Sequence, residues 1–324
     1  MPCPSRRAAL AVALAFATAT AGAAAAPAAG PLTIIVPAPA GSAPDIVARL
    51  LGDDLGPRLG QTVIIDNKPG AGGIVAVMAA KTAAASGGDT LLFAHAAVAT
   101  ITPVTYRAAK YDLARDFQPV ALVAETPMLF VANPGSGPKT LAEAVAMAKA
   151  KPDALTLGST SRGSIPHLAG ILLGQSAGVQ FNNVPMSSSG QAIQAVVNGD
   201  ALVSVDGIAP LLPLVKAGRV RALAVTSAKP LPGLEGMPLA KDTVPGLELT
   251  GWFMLFAGPG ASPARVQALN DAVNAALRSP AVVQKLEATA NYPAGGSVAE
   301  ARQFLARQKT LWAGAAERAG LQPE

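Results

Sequence analysis

The chain has 324 residues, of which 51% are hydrophobic and 14% charged, enough apolar material for the cores of about two domains. Aromatic residues make up 4% and the formal net charge of +5 forms no basic stripe, which excludes a nucleic-acid binder built on stacked bases or a phosphate-tracking groove. The only cysteine is Cys3, ahead of an apolar stretch, so the exported chain is expected to hold no disulfide and no thiolate metal site.

Residues 1–26 read as a signal peptide. Arg6 and Arg7 open it, an apolar stretch from about Ala8 to Ala21 follows, and small residues then fit cleavage after Ala26, with Ala29 as the alternative. The apolar stretch is shorter than the ~20 residues of a membrane-spanning helix. Ser5, Arg6 and Arg7 form half of a twin-arginine pattern, which leaves the general and the twin-arginine export routes both open.

From Pro31 onward short apolar runs alternate with amphipathic stretches. Strands are expected at 32–36, 62–66, 90–94, 121–125, 128–133, 154–158, 179–184, 201–205, 220–226 and 252–257, and three helical stretches close the chain. This alternation predicts an α/β fold of βα units with mostly parallel sheets. Helix starts are marked by capping spacings at Ser42 with Asp45, Thr140 with Glu143 and Ser297 with Glu300, and by Ser164, Ser262 and Ser279 close to a Pro. The sequence shows no internal repeat.

The first strand runs directly into "PAPAGSAPD" (37–45), a corner with no Lys, Arg, His or Cys. Ligands of α/β sheets bind beyond the carboxyl ends of strands, and a helix N-terminus offers free N–H donors and about half a positive charge. Such a corner holds an anion, or is simply a well-capped connection; the residues alone leave both open. Enzyme signatures fail. "PGAGGIV" (69–75) has Val75 where a dinucleotide fingerprint needs Gly, and "GSGPKT" (135–140) misses the P-loop spacing. "GSTSRGS" (158–164) has no nucleophile-elbow register. His95 and His167 are too few for a His-rich metal site, and nothing pairs Asp66 or Asp206 as an acid–base dyad. No cofactor and no metal are expected.

Taken in order, "TIIVPAPAGSAPDIVARLLGDDLGPRLGQTVIIDNKPGAGG" (33–73), "YDLARDFQPVALVAETPMLFVANP" (111–134), "GSTSRGSIPHLAG" (158–170), "VKAGRVRALAVTSAKPLPGLEGMP" (215–238) and "GWFMLFAGPGASPARVQALNDAVNAAL" (251–277) resemble the Bug-type periplasmic solute-binding receptors of tripartite tricarboxylate transporters. The resemblance spans nearly all of the mature chain. It implies a Venus-flytrap of two Rossmann-like α/β domains with a ligand cleft between them, no catalysis, a small organic acid as ligand, and transmembrane permease subunits as partners. The chain is then periplasmic and expected to be a monomer. The domains divide as 31–126 plus 251–324, and 127–250, with "PMLFVAN" and "GWFMLFA" as crossing strands.

The resemblance further implies that two strand-to-helix loops grip a ligand carboxylate through backbone N–H groups. Here these are the loop with Ala40, Gly41, Ser42, Ala43 and Asp45, and the loop with Ser159, Thr160, Ser161, Gly163, Ser164 and His167. His95, Met186, Ser187 and Asp206 are expected to complete the wall. The chain departs from the family pattern where Met186 and Ser187 replace a Tyr-Lys pair, which removes a cation and points to a ligand with one carboxylate and a neutral far end. A secreted small-acid hydrolase or isomerase, and a ligand sensor feeding a signalling kinase, are the alternative readings.

Overall fold

The computed structural model describes residues 30–86, 89–152, 155–160 and 162–323. The expected signal peptide and Ser161 lie outside the described residues. In chain order the elements are β1 (Leu32–Val36), α1 (Ala43–Leu59), β2 (Val63–Asn67), α2 (Ile74–Ala85), β3 (Thr90–His95), α3 (Ala96–Thr100), α4 (Thr102–Thr105) and α5 (Leu113–Asp116). Then come β4 (Gln118–Ala132), α6 (Leu141–Ala150), β5 (Thr156–Ser159), α7 (Ile165–Ala177), β6 (Asn182–Pro185), α8 (Ser189–Asn198), β7 (Val203–Gly207), α9 (Ile208–Lys216) and β8 (Arg221–Val225). The chain ends with α10 (Ala240–Thr243), β9 (Thr250–Ala257), α11 (Pro263–Leu277), α12 (Pro280–Ala288), β10 (Tyr292–Pro293) and α13 (Val298–Arg318).

The strands join in the order β2-β1-β3-β9-β4-β7-β5-β6, with β10 and β8 also on β4. β4 is the backbone of this arrangement. Its first part, to Pro127, pairs with β9, and its second part, from Met128, lies between β7 and β8. One long strand thus serves two sheets. The βα units give parallel pairs β1–β2, β1–β3, β5–β6 and β5–β7, but β9 runs antiparallel to β3 and β4, and β4 runs antiparallel to β7 and β8. The sheets are therefore mixed rather than mostly parallel, because β4 and β9 run against the strands beside them.

Each sheet is covered on both faces, as strands with near-continuous apolar runs require. In the first, Leu51 and Leu55 of α1 and Leu269 of α11 pack on one face and Val77 of α2 and Leu305 of α13 on the other. In the second, Leu141, Leu168 and Trp312 cover one face and Ile193, Val196 and Leu211 the other. Helix α13 thus packs Leu305 into one half and Trp312 into the other. Gln308 Oε1 on the same helix accepts from both Trp252 Nε1 (3.1 Å) and Trp312 Nε1 (2.7 Å).

The crossing is tied at one residue. Thr226 Oγ1 accepts from Met128 N (2.8 Å) and donates to Leu249 O (2.7 Å), and Leu249 N donates to Thr226 O (3.2 Å). The crossing is made by β4 as a whole, Gln118–Pro127 in the first sheet and Met128–Ala132, within "PMLFVAN", in the second. β9, which holds "GWFMLFA", pairs only within the first sheet, and the return passes through the segment ahead of it, which Thr226 holds against β4.

Candidate functional site

A cavity of about 840 Å³ opens between the two halves. From the first half it is lined by Pro37 and Pro39 after β1, by Pro69, Gly70, Gly72 and Gly73 after β2, and by His95 at the end of β3. Thr102, Thr105 and Tyr106 continue that wall. The second half contributes Arg162, Gly163 and Ser164, and the chain end contributes Gly320 to Pro323. Among these described lining residues Arg162 is the one charged side chain, since His95 is held neutral: desolvation lowers its pKa to about 4.

The two loops that face each other here are built to one plan. Gly41-Ser42-Ala43-Pro44-Asp45 and Gly163-Ser164-Ile165-Pro166-His167 share the pattern G-S-x-P-[DH]. Both glycines sit at φ +80°, a region that L side chains rarely adopt, so the glycine is required for the turn. Both serines are extended N-cap residues, and both helices carry Pro in their first turn, where a missing N–H costs nothing. In each loop the third helical residue reaches back to the glycine. Gly41 N donates to Asp45 Oδ2 (2.8 Å), and Gly163 N donates to His167 Nδ1 (3.2 Å). This is a local repeat that pattern-matching by residue type overlooks, because Asp and His do the same work.

These bonds change the expected anion grip in detail. The glycine N–H groups are spent inside their own loops. Among the described residues the first-turn N–H groups of Ala43 and Asp45 in the first loop, and of Ile165 in the second, have no protein acceptor. Ser164 caps α7 as expected, its Oγ accepting from His167 N (3.2 Å), and it shares a 2.7 Å hydrogen bond with Thr160 Oγ1. Ser42 does not cap α1 with its side chain. Its hydroxyl donates instead to Pro39 O (2.6 Å), and the Asp45 N–H at the third helical position stays uncapped, unlike that of His167 in the second loop.

The loops differ in charge. Asp45 is buried against desolvation that would raise its pKa, but bonds from Arg49, Gly41 and Asn67 outweigh this and hold it below the usual carboxylate range. Arg49 Nη2 lies 3.0 Å from Asp45 Oδ1, and Asn67 Nδ2 donates to the same oxygen at 2.9 Å. His167 is buried, and desolvation followed by the charge of Arg162 lowers its pKa. Its Nδ1 accepts from Gly163 and so carries no proton. The first loop is anionic and internally compensated; the second is neutral, with a guanidinium at its tip.

The remaining expected site residues divide. His95, Gly163 and Ser164 line the cavity, whereas Ala40, Gly41, Ser42 and Ala43 sit beside the lining prolines without lining it themselves. Ser159 is buried beneath the loop, 3.3 Å from Asn183 Oδ1. Met186, Ser187 and Asp206 are not among the cavity's lining. Met186 faces Gly158, Ser187 Oγ donates to Gln191 Oε1 (2.7 Å), and Ser188 caps α8 at Gln191 N (3.3 Å). Asp206 accepts from Ser189 Oγ (2.5 Å) and Gly207 N (2.7 Å), and desolvation raises its pKa. The hydroxyl-rich run is engaged in starting a helix, and residue 187 does not line this cavity. The lining residues that sequence reasoning passed over are Arg162, Ile101, Thr102, Thr105, Tyr106, the 69–73 loop and the chain end. Only the Gly-rich loop carried a signal, its place directly after a strand.

The same architecture occurs in known proteins. Residues 47–321 match the family model described as a tripartite tricarboxylate transporter family receptor. The chain is 30% identical over 293 residues to Protein BugT of Bordetella pertussis, covering 90% of each chain. It is 33% identical to a UPF0065 protein of a Pseudomonas species, covering 82% of this chain and 80% of the other. Among solved structures, an R. palustris protein with adipate superposes with TM-score 0.73 at 30% identity, covering 91% of this chain and 99% of the other. MatC from Rhodopseudomonas palustris with bound malate superposes with TM-score 0.68 at 29% identity, covering 89% and 99%. The chain therefore belongs to the tripartite tricarboxylate transporter receptor family, the Bug-type solute-binding proteins of the periplasm.

Proposed function

We propose that this protein captures a small organic carboxylate in the cavity between its halves and delivers it to the permease subunits of a tripartite carrier. The observation that carries the reading is a cavity shared by both halves in which the one charged lining side chain among the described residues is a cation. Similar proteins solved with adipate and with malate support the ligand class. In this reading the N–H groups of Ala43 and Ile165, each at a helix N-terminus, and the hydroxyl of Ser164 hold the carboxylate. Anions are favoured there by the helix dipoles without a formal charge.

The halves act as the domains 31–126 plus 251–324 and 127–250, and they close by a hinge where β4 passes from one sheet to the other. Helix α13, which packs on both, follows that motion. The mature protein begins near Pro27 and works as a monomer in the periplasm. It binds without catalysis; of the acid–base candidates Asp206, His95 and His167, Asp206 is occupied by Ser189 and Gly207 away from the lining. Calorimetric titration of purified mature protein with mono-, di- and tricarboxylates tests the reading. Saturable binding with unchanged recovery of the acid is expected; turnover, or no binding across the series, overturns it.

A further inference from the structure

Arg162 occupies the tip of the second loop, at the position of Ala40 in the G-S-x-P-[DH] plan, and projects into the cavity wall. It has no carboxylate partner among the described residues. Its Nη2 donates instead to two main-chain carbonyls at the end of α13, Gly320 O at 3.0 Å and Ala319 O at 3.4 Å. The segment beyond runs along the cavity, with Leu321 against Gly163, and reaches the opposite half, where Arg107 Nε donates to Pro323 O (3.0 Å). The C-terminal tail therefore spans the mouth, held at each end by an arginine.

The tail carbonyls carry only partial negative charge and meet a single nitrogen of the guanidinium. A carboxylate adds a full opposite charge and a two-pronged match to the planar fork, which Arg offers and Lys does not. The bonds to the tail leave Nε and Nη1 of Arg162 free among the described residues. Resting on the carboxylate-receptor reading above, we propose that Arg162 is a specificity-determining residue: it selects ligands with a second carboxylate, exchanging the tail carbonyls for that group. The tail holds the guanidinium in place while the site is empty and yields when a better acceptor arrives. A ligand with one carboxylate and a neutral far end has nothing to offer Arg162 and leaves the tail where it is.

The test compares adipate with hexanoate by calorimetry, on wild type, Arg162→Gln and Arg162→Lys. Wild type is expected to prefer adipate. The adipate-to-hexanoate affinity ratio falls about tenfold or more in Arg162→Gln, and Arg162→Lys recovers part of it. Hydrogen exchange at the amides of Gly320 to Gln322 is expected to accelerate with adipate and not with hexanoate. A wild-type ratio near one, a ratio unmoved by Arg162→Gln, or equal exchange with both acids overturns the assignment and leaves the carboxylate reading standing. Failure of wild type to bind either acid overturns that reading as well.

Discussion

Asp45 is the residue on which the first loop depends, and replacing it is the sharpest test of how the loop is built. Its carboxylate is buried and accepts from Gly41 N (2.8 Å), Asn67 Nδ2 (2.9 Å) and Arg49 Nε (3.1 Å). The Arg49 contribution is small, because its side chain is 50% exposed and the pair is screened by water. Asn67 keeps a second acceptor, Ala38 O at 3.1 Å, which softens its loss. What remains is one charge-assisted bond to a backbone N–H and one ordinary bond, so Asp45→Ala is expected to cost about 2–4 kcal/mol. Asp45→Asn keeps the shape and one acceptor, and about 1–2 kcal/mol is expected. Urea denaturation reads this as a lower midpoint with an unchanged slope. The pH dependence has a definite sign. The folded-state pKa is lowered, so the carboxylate's contribution is present above the unfolded value of 3.8 and is lost as pH falls through the folded value. Since Asn does not titrate, the gap between wild type and Asp45→Asn should close below about pH 4. An Asp45→Ala midpoint equal to wild type, or a gap that stays constant to pH 3, would refute this account of the loop.

Three further outcomes follow from the same geometry. Ser164→Ala removes the cap of α7 and should cost about 1 kcal/mol in the same denaturation assay, whereas Ser42→Ala, whose hydroxyl caps nothing, should cost clearly less. Thr226→Val leaves Met128 N and Leu249 O without their shared partner and should cost about 2 kcal/mol, since both groups are buried at the crossing. His95, with its pKa lowered to about 4, should show a neutral ring by NMR from pH 5 to 8 in the ligand-free protein. It contributes stability that is present above the unfolded value of 6.5 and is lost as pH falls toward 4, at most about 3 kcal/mol, and His95→Gln should remove that dependence.

Much of the fold was legible because local chemistry marks it. The strand-to-helix corners announce themselves through Ser, Pro and an apolar run, and the capping box at Ser297 and Glu300 forms in full. Where the reading failed, long-range pairing was responsible. Gln118–Ala132 is one strand, but Glu125-Thr126-Pro127 interrupts its apolar run and reads as a break. Pro127 is tolerated because it stands where the strand leaves β9 and joins β7 and β8, pairing with Thr250 at the end of the ladder. The two-residue β10 has too few residues for any period. The cavity wall was legible only where a loop leads into a long helix. Tyr106 and the tail residues reach it through tertiary packing, which no spacing records.

The repeated loop shows why residue type misled the reading of the site. A search for like residues separates Asp45 from His167, and the sequence accordingly showed no repeat. A search for like hydrogen-bonding duty unites them: an acceptor on the third helical residue, placed to take the N–H of a glycine four residues earlier. Neutral imidazole Nδ1 and carboxylate oxygen both meet that requirement. They differ in charge, and the surroundings respond to that difference. Asp45 brings a negative charge to a helix N-terminus and is balanced by Arg49, one turn along and partly in solvent. His167 brings none, so nothing in its own loop balances the dipole of α7, and Arg162 adds a further positive charge at the tip. Two loops of one shape therefore present different potentials to the cavity. The second loop is the one at which a ligand's negative charge gains most.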